Sequence, residues 1–160
     1  MLKKKNNILL IFILFIVSLS LITAFYIQYA LGHIPCKLCL YQRIPYIISI
    51  LLIVQILIFS KYQKITLLAL AIIFFCSSIL AFYHFGIEQG FFNELSVCGN
   101  ENISENPTKE EILEQLKKNA ISCKDATFKV LGLSLASINS ILSFILSIIF
   151  IRLLINYEKN

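Results

Sequence analysis

Two cysteines and an arginine lie close together in the segment PCKLCLYQR, residues 35–43. Two residues between Cys36 and Cys39 allow a disulfide in a loop so tight that the bond is easily strained and readily exchanged with other thiols. The same spacing occurs in structural disulfides and in zinc sites. Zinc needs four ligands, however, and the chain contains no second CxxC pair and no HxxxH pair. The segment therefore favours redox chemistry over metal binding.

Arg43 follows Cys39 by four residues. If a helix begins near Leu38, residues four apart share one face, and Arg43 then lies beside Cys39. The N–H groups at a helix N-terminus and a neighbouring cation both stabilise a thiolate. The sequence therefore predicts that Cys39 is the more acidic thiol of the pair.

The elements that carry these residues must lie in a membrane, because 58% of the chain is hydrophobic and the mean hydropathy is +0.82. The formal net charge is +5, from 14 basic and 9 acidic residues. The basic residues stand at the ends of apolar segments and form no patch with interleaved aromatic residues, so they do not indicate nucleic-acid binding.

Four apolar runs cover about residues 8–30, 40–60, 65–85 and 131–155. At about 1.5 Å per residue, each can cross a hydrocarbon core of about 30 Å. The first run exceeds the roughly 7–15 apolar residues of a signal peptide and no convincing cleavage site follows it, so we expect a retained helix. We predict an all-α membrane protein in which residues 1–160 form one domain, a four-helix transmembrane bundle.

Positive charge in the short segments between and beside the runs predicts the topology. These residues are Lys3, Lys4, Lys5, Lys61, Lys64, Arg152 and Lys159. By the positive-inside rule they face the cytoplasm, which places both termini there and directs the loops of residues 31–39 and 86–130 outward.

The second outer loop, residues 86–130, carries most of the acidic residues of the chain. Thr108 and Glu111 have capping-box spacing, and apolar residues follow at helical intervals. We expect a short amphipathic helix of about ten residues here, which either rests on the membrane surface or docks a partner.

The five cysteines divide by location: four lie in the outer loops, and Cys76 lies within the third apolar run. An oxidising compartment favours two disulfides, Cys36–Cys39 and Cys98–Cys123. By itself, the Cys98–Cys123 bond would be interpreted as a structural disulfide that stabilises its loop. Beside an exchangeable CxxC it can pass oxidising equivalents through mixed states, so the pairing stays ambiguous. Cys76 is expected to be a small buried apolar residue without a redox role.

His84 and Glu88 share one face of the third apolar run with Ser77 and Ala81. An ionisable residue at that depth indicates a functional site, although an interfacial histidine is the alternative. A second stripe, of small residues, follows one face of the fourth run: Gly132, Ala136, Ser140, Ser143 and Ser147. Such stripes let helices pack closely in lipid, so we interpret this one as a bundle interface.

The motif PCKLCLYQRIPY, a long outer loop with two cysteines, and a fourth helix opening with LGLSL (residues 131–135) together resemble the DsbB family of membrane disulfide-bond-forming proteins. The resemblance covers nearly the whole chain. It implies a multi-pass protein of the bacterial inner membrane, with periplasmic cysteine loops. It also implies a thiol oxidase that reduces ubiquinone or menaquinone from the membrane quinone pool.

The resemblance further implies roles for individual residues. A soluble DsbA-like thioredoxin-fold partner attacks Cys98, and the freed Cys123 attacks Cys36, which releases the Cys39 thiolate. Cys39 then donates electrons to the bound quinone, Arg43 polarises a quinone carbonyl, and His84 matches a family histidine near the quinone.

One departure from the family pattern is the absence of tryptophan, which often follows the GLS in the fourth helix; Ile138 or Asn139 stands in that region. Two alternatives remain. A vitamin K epoxide reductase-like protein would carry its quinone-facing CxxC late in the chain, whereas this one is early. A non-catalytic four-helix membrane subunit with bracing outer disulfides gives no reason for Arg43 to follow Cys39 by one helical turn.

Overall fold

The computed structural model describes residues 2–59, 62–93, 123, 129–130 and 132–158. Four helical segments in this part of the chain are long and apolar enough to span a membrane, Asn6–Tyr29, Lys37–Ile58, Gln63–Glu88 and Leu135–Tyr157. This confirms the prediction of an all-α, four-helix membrane protein. The elements are α1 (Leu2–Tyr29), α2 (Lys37–Tyr41), α3 (Arg43–Ile58), α4 (Gln63–Glu88), β1 (Lys129–Val130), β2 (Leu133–Ser134) and α5 (Leu135–Glu158).

The second span is divided at Gln42, which ends α2 and precedes α3. Pro45 explains the division, because a proline has no N–H to donate to the carbonyl four residues earlier, that of Tyr41, and its ring crowds that carbonyl. Cys36 caps the first turn of α2, and its Sγ accepts the backbone N–H of Cys39. The helix therefore begins at Lys37, one residue before the position expected from the sequence.

The fourth span begins at Leu135 and not at residue 131. Residues 129–130 and 133–134 instead pair as a short antiparallel hairpin, with Val130 opposite Leu133. Gly132 has a φ of +83° in the connection, a conformation that residues with a Cβ rarely adopt. Ser134 then starts α5, because its Oγ accepts the backbone N–H of Ser137 at 3.2 Å. Most of the LGLSL motif thus forms a turn and a cap.

One apolar cluster holds the four spans together, and we call it the apolar core. Its centre is an aromatic stack: Phe74 lies parallel to Phe150 at 5.6 Å and meets Tyr46 edge-on at 5.7 Å between ring centroids. Its buried members are Leu10, Ile13, Val17, Leu21, Tyr46, Ile53, Ile56, Leu67, Leu70, Ala71, Phe74, Leu146, Phe150 and Leu153. The large apolar side chains on the outer faces are exposed, as a bundle surrounded by lipid requires.

Helices α4 and α5 form the most extensive helix pair. Ser140 Oγ donates to the Ser78 carbonyl at 3.3 Å, and Ser147 Oγ donates to the Ala71 carbonyl at 3.1 Å. These contacts confirm the helical part of the small-residue stripe as a bundle interface. Gly132 does not take part, because it lies in the exposed hairpin turn.

Two other expectations have different outcomes. Cys76 is exposed on the outer surface of α4, so the prediction of a buried cysteine is wrong. The periodicity of the third run could not decide this, since apolar residues occur on every face of a span. The amphipathic helix expected near Thr108 lies outside the described residues.

Candidate functional site

Cys36 and Cys39 form a dithiol at one end of the bundle, with their Sγ atoms 2.9 Å apart and joined by a hydrogen bond. The disulfide expected from the sequence is therefore not formed in this state. Cys36 is fully buried, and its Sγ has two more polar contacts. The backbone N–H of Cys39 donates at 3.2 Å, and His84 Nε2 lies at 3.5 Å.

These contacts make Cys36 the acidic thiol. The hydrogen bond from the Cys39 thiol lowers the pKa of Cys36 most, and the contacts with His84 and the Cys39 N–H act in the same direction, which outweighs the opposing effect of burial. The N–H group at the helix N-terminus that we expected to favour a Cys39 thiolate is instead directed at Cys36. The reason is local: the helix begins one residue earlier than expected, so Cys36 occupies the capping position and accepts the free N–H.

Arg43 does not pair with Cys39 either. Its Nη1 donates to Gln28 Oε1 at 2.5 Å, its Nη2 donates to the Ala24 carbonyl at 3.4 Å, and its Cζ lies 4.9 Å from the centre of the Phe25 ring. All three contacts lie on α1. No hydrogen bond joins Arg43 to Cys39 among the described residues, because the guanidinium is held by α1.

Both residues nevertheless line one cavity of about 540 Å³. Its volume is in the range of small-molecule sites, about 300–1,000 Å³. Most of its wall is apolar and comes from α1 and α5, while Cys39, Gln42, Arg43, His84 and Glu88 supply polar groups. The structure therefore brings the CxxC pair, the arginine and the histidine predicted from the sequence into one place.

His84 is 1% exposed and lies between the dithiol and a chain of amides. Its Nδ1 faces Gln42 Nε2 at 2.9 Å, and its Nε2 lies 3.8 Å from Glu88 Oε1. The predicted face of α4 is confirmed as buried, with Ser77 and Ala81 at 2% and 0% exposure and the Glu88 side chain at 3%. The interfacial, half-solvated alternative for His84 is thereby excluded.

Cys123, from the segment between α4 and β1, lies at the same place. It is buried in a cluster with Cys36, Leu38 and Ile87, and its backbone hydrogen-bonds to His84. Cys123 is disulfide-bonded, whereas Cys36, Cys39 and Cys76 are free. Cys98 lies outside the described residues, so the predicted Cys98–Cys123 bond stays a prediction.

The geometry also bears on metal binding. The ligand atoms of Cys36, Cys39 and His84 lie within 4.8 Å of one another. A tetrahedral zinc ion, with Zn–S bonds of about 2.3 Å, would hold two thiolates about 3.8 Å apart. The observed 2.9 Å separation of the sulfurs fits a hydrogen-bonded dithiol better than a zinc site.

Sequence reasoning did not single out two residues of this site. Gln42 and Asn139 both hydrogen-bond within the bundle, with Asn139 Nδ2 donating to Gln42 Oε1 at 2.7 Å. One signal was available: an amide inside an apolar run is costly unless it is hydrogen-bonded.

We name the polar group of Cys36, Cys39, Gln42, His84, Glu88 and Asn139 the cysteine end.

Fold and site together define a class, namely a four-span membrane protein with a buried dithiol beside a cavity and a disulfide-bonded cysteine packed against it. Comparison with known proteins agrees: residues 6–153 match the family model of Disulfide bond formation protein DsbB. The chain therefore belongs to the DsbB family, whose members are membrane proteins of disulfide bond formation.

A curated relative extends the comparison to the full chain. This relative, from Rickettsia prowazekii (strain Madrid E), is named Uncharacterized protein RP370 and is 29% identical over 160 residues, which cover 99% of this chain and 92% of the relative. No solved structure matches the chain.

Proposed function

We propose that this protein is a membrane thiol oxidase that reoxidises a soluble DsbA-like thioredoxin-fold protein and passes the electrons to ubiquinone or menaquinone. Membership of a disulfide-bond-forming family is one support for this proposal. The proposed setting is the bacterial inner membrane, with both termini cytoplasmic and the cysteine loops periplasmic.

The observation that carries the proposal is the different surroundings of the two thiols. Cys36 is buried against Cys123, whereas Cys39 lines the cavity. A dithiol arranged in this way can exchange with the outer-loop cysteines through one sulfur and face an electron acceptor with the other. A bracing disulfide would need neither a free dithiol nor a cavity, so these features speak against a non-catalytic subunit.

The proposed relay consists of balanced thiol–disulfide exchanges. A thiolate of the reduced partner attacks Cys98 of the Cys98–Cys123 disulfide, and its second thiol resolves this bond, which leaves the partner oxidised and Cys98 and Cys123 reduced. Cys123 then attacks Cys36 of the Cys36–Cys39 disulfide and displaces Cys39. Cys98 resolves the Cys36–Cys123 bond, and the Cys36–Cys39 dithiol holds the two electrons.

The residues of the cavity fit a quinone. Its wall is mostly apolar, as a ring and an isoprenoid chain require, and the Arg43 guanidinium supplies hydrogen-bond donors for a carbonyl oxygen. A bound quinone would supply a two-electron, two-proton acceptor. Arg43 would hydrogen-bond it and the His84 ring would contact it at the wall that Cys39 also lines. Arg43 is itself oriented by Gln28 and the Ala24 carbonyl.

The hydrogen bond between the sulfurs can move charge toward the cavity. The contacts of Cys36 with the Cys39 N–H and with His84 favour its thiolate, and in the proposed resting form the shared proton resides on Cys39. Transfer of this proton across the 2.9 Å contact leaves the negative charge on Cys39, the sulfur that lines the cavity. Only a thiolate is an effective electron donor in thiol chemistry, so this step readies the pair for oxidation.

Turnover in detergent tests the proposal. Purified protein receives a reduced thioredoxin-fold partner and a soluble quinone analogue, and quinone absorbance is followed for wild type, Cys39→Ala and Cys98→Ala. We expect quinone consumption only when the partner is present, and loss of turnover to the background rate in both variants.

Cys76→Ala is the matched control, because Cys76 is a free cysteine on the outer surface of α4, away from the cysteine end. It should retain the wild-type rate. If wild type leaves ubiquinone and menaquinone analogues unreduced with several reduced partners, the proposed oxidase activity is rejected.

A further inference from the structure

A continuous chain of hydrogen bonds runs from the middle of the bundle to Cys36. The Tyr46 hydroxyl donates to Asn139 Oδ1, and Asn139 Nδ2 donates to Gln42 Oε1 at 2.7 Å. Gln42 Nε2 then lies 2.9 Å from His84 Nδ1, and His84 Nε2 lies 3.5 Å from Cys36 Sγ. Three helices, α3, α4 and α5, and the break at Gln42 thus contribute to one chain.

The two amides give this chain a direction. An amide NH₂ group only donates and an amide oxygen only accepts. Asn139 Oδ1 accepts a hydrogen bond from the Tyr46 hydroxyl. The Asn139 NH₂ group therefore faces Gln42 and donates to its Oε1. The Gln42 NH₂ group is therefore the one that faces His84 Nδ1. A nitrogen that accepts this bond carries no proton in the neutral imidazole.

We propose that Gln42 and Asn139 are positioning residues that hold neutral His84 in the tautomer with its proton on Nε2, directed at Cys36 Sγ. This proton then hydrogen-bonds to the thiolate, while the opposite tautomer would present a lone pair to it and repel it. The role of Cys36 as a reacting thiol rests on the proposed function; the tautomer itself does not.

Other groups around Cys36 act on its ionisation as well. Cys39 from α2 and the Glu88 carboxylate from α4 face the same pocket, and Arg43 lines the cavity from α3. Helix α5 contributes the neutral Asn139. Glu88 Oε1 lies 3.8 Å from His84 Nε2, so it favours the same tautomer. The experiment must therefore separate the contribution of the amides from that of Glu88.

Nitrogen-15 NMR of histidine-labelled protein in micelles measures the tautomer directly, since protonated and unprotonated ring nitrogens have well separated shifts. The chain contains 2 histidines, so a His33→Gln spectrum assigns His84. With the dithiol reduced, wild type should show an unprotonated Nδ1 and a protonated Nε2. A protonated Nδ1 in the wild type would overturn the proposal without any variant.

Gln42→Met removes the donor to Nδ1, and Asn139→Leu removes the group that orients Gln42. Both should give a second population with Nδ1 protonated. Ser140→Ala is the control, because Ser140 is adjacent to Asn139 but bonds to the Ser78 carbonyl, outside the chain; its spectrum should equal that of wild type. If both amide variants keep the wild-type tautomer, Glu88 and the thiolate hold it and the proposal is wrong.

A second readout follows the consequence at the sulfur. The pH at half-maximal alkylation of Cys36, measured by peptide mass spectrometry, should rise by about one unit in Asn139→Leu, the size typical for loss of one supporting contact. It should not change in Ser140→Ala. If His84 has its proton on Nε2 but the protein does not reduce quinone, the oxidase activity is rejected and the positioning role stands. If the protein reduces quinone but His84 has its proton on Nδ1, the positioning role is rejected and the oxidase activity stands.

Discussion

The apolar core and the cysteine end lie in the same bundle but are built by opposite means. Around Phe74 the spans meet through aromatic and aliphatic side chains, with Phe74 and Phe150 fully buried. At the cysteine end Gln42, His84 and Asn139 are joined by direct hydrogen bonds. Polar groups are costly inside a membrane, so their concentration at one end indicates a function that the core does not have.

The serines of the α4–α5 interface show that polarity alone does not make a site. Ser140 and Ser147 donate to backbone carbonyls of the opposite helix, which satisfies each hydroxyl locally. The amides of the cysteine end instead bond to further side chains and lead to a titratable thiol. What distinguishes the two regions is whether the hydrogen bonds end at the backbone or continue to a reactive group.

The largest effect on stability should come from the apolar core. Phe74→Ala removes the centre of the aromatic stack and should lower the free energy of unfolding by about 3–5 kcal/mol. Unfolding in mixed micelles with increasing denaturing detergent measures this loss. The pH of Cys36 alkylation should be unchanged in the folded fraction; a large shift would show that the two regions are not separate.

Arg43→Met should have the largest effect at the cavity beside the cysteine end, short of removing a cysteine. It retains a long apolar side chain but loses the hydrogen bonds to Gln28 and the Ala24 carbonyl and the guanidinium of a residue that lines the cavity. We expect a rise of about tenfold or more in the KM for quinone, about 1.4 kcal/mol. Lys37→Met, which removes a neighbouring positive charge that does not line the cavity, should leave the KM unchanged. An unchanged KM in Arg43→Met would remove Arg43 from the proposed quinone site.

The pH dependence of Cys36 gives a third test. Because its pKa is lowered, the thiolate persists below the ordinary thiol pKa of about 8.5, and it is lost only as the pH falls through the lowered value. The alkylation rate of Cys36 should therefore be flat from pH 8 to neutral pH, as measured by mass spectrometry. The rate for a thiol peptide falls about tenfold per unit in the acidic part of this range. If the alkylation rate of Cys36 fell with pH as steeply as that of the peptide, the lowered pKa of Cys36 would be contradicted.

The smallest effect should come from the serine interface. Ser147→Ala removes one interhelical hydrogen bond and should lower the free energy of unfolding by about 0.6 kcal/mol, with no change in quinone turnover. The same detergent unfolding series detects the difference. A loss as large as that of Phe74→Ala would mean that the serine bonds, and not apolar packing, hold α4 and α5 together.

Hydrophobic pattern and spacing were sufficient for much of the molecule. Four long apolar runs determined four spans, because a bilayer requires about 20 apolar residues for each helix. The CxxC motif, Arg43 and His84 were found from residue type and position, since ionisable groups are rare in apolar runs. In each case the signal lies within one segment of the chain and needs no knowledge of its neighbours.

Only the tertiary structure decided how these residues are used. The Arg43 guanidinium is held by Gln28 and the Ala24 carbonyl of α1, so the four-residue spacing from Cys39 to Arg43 does not become a hydrogen bond. Cys76 is exposed because α4 directs other residues to the core. The contacts that favour a thiolate are made at Cys36, because its partners come from α2 and α4 together. Hydrogen bonds between residues 42 or more positions apart, such as that of Gln42 with His84, depend on helix packing, which no local pattern records.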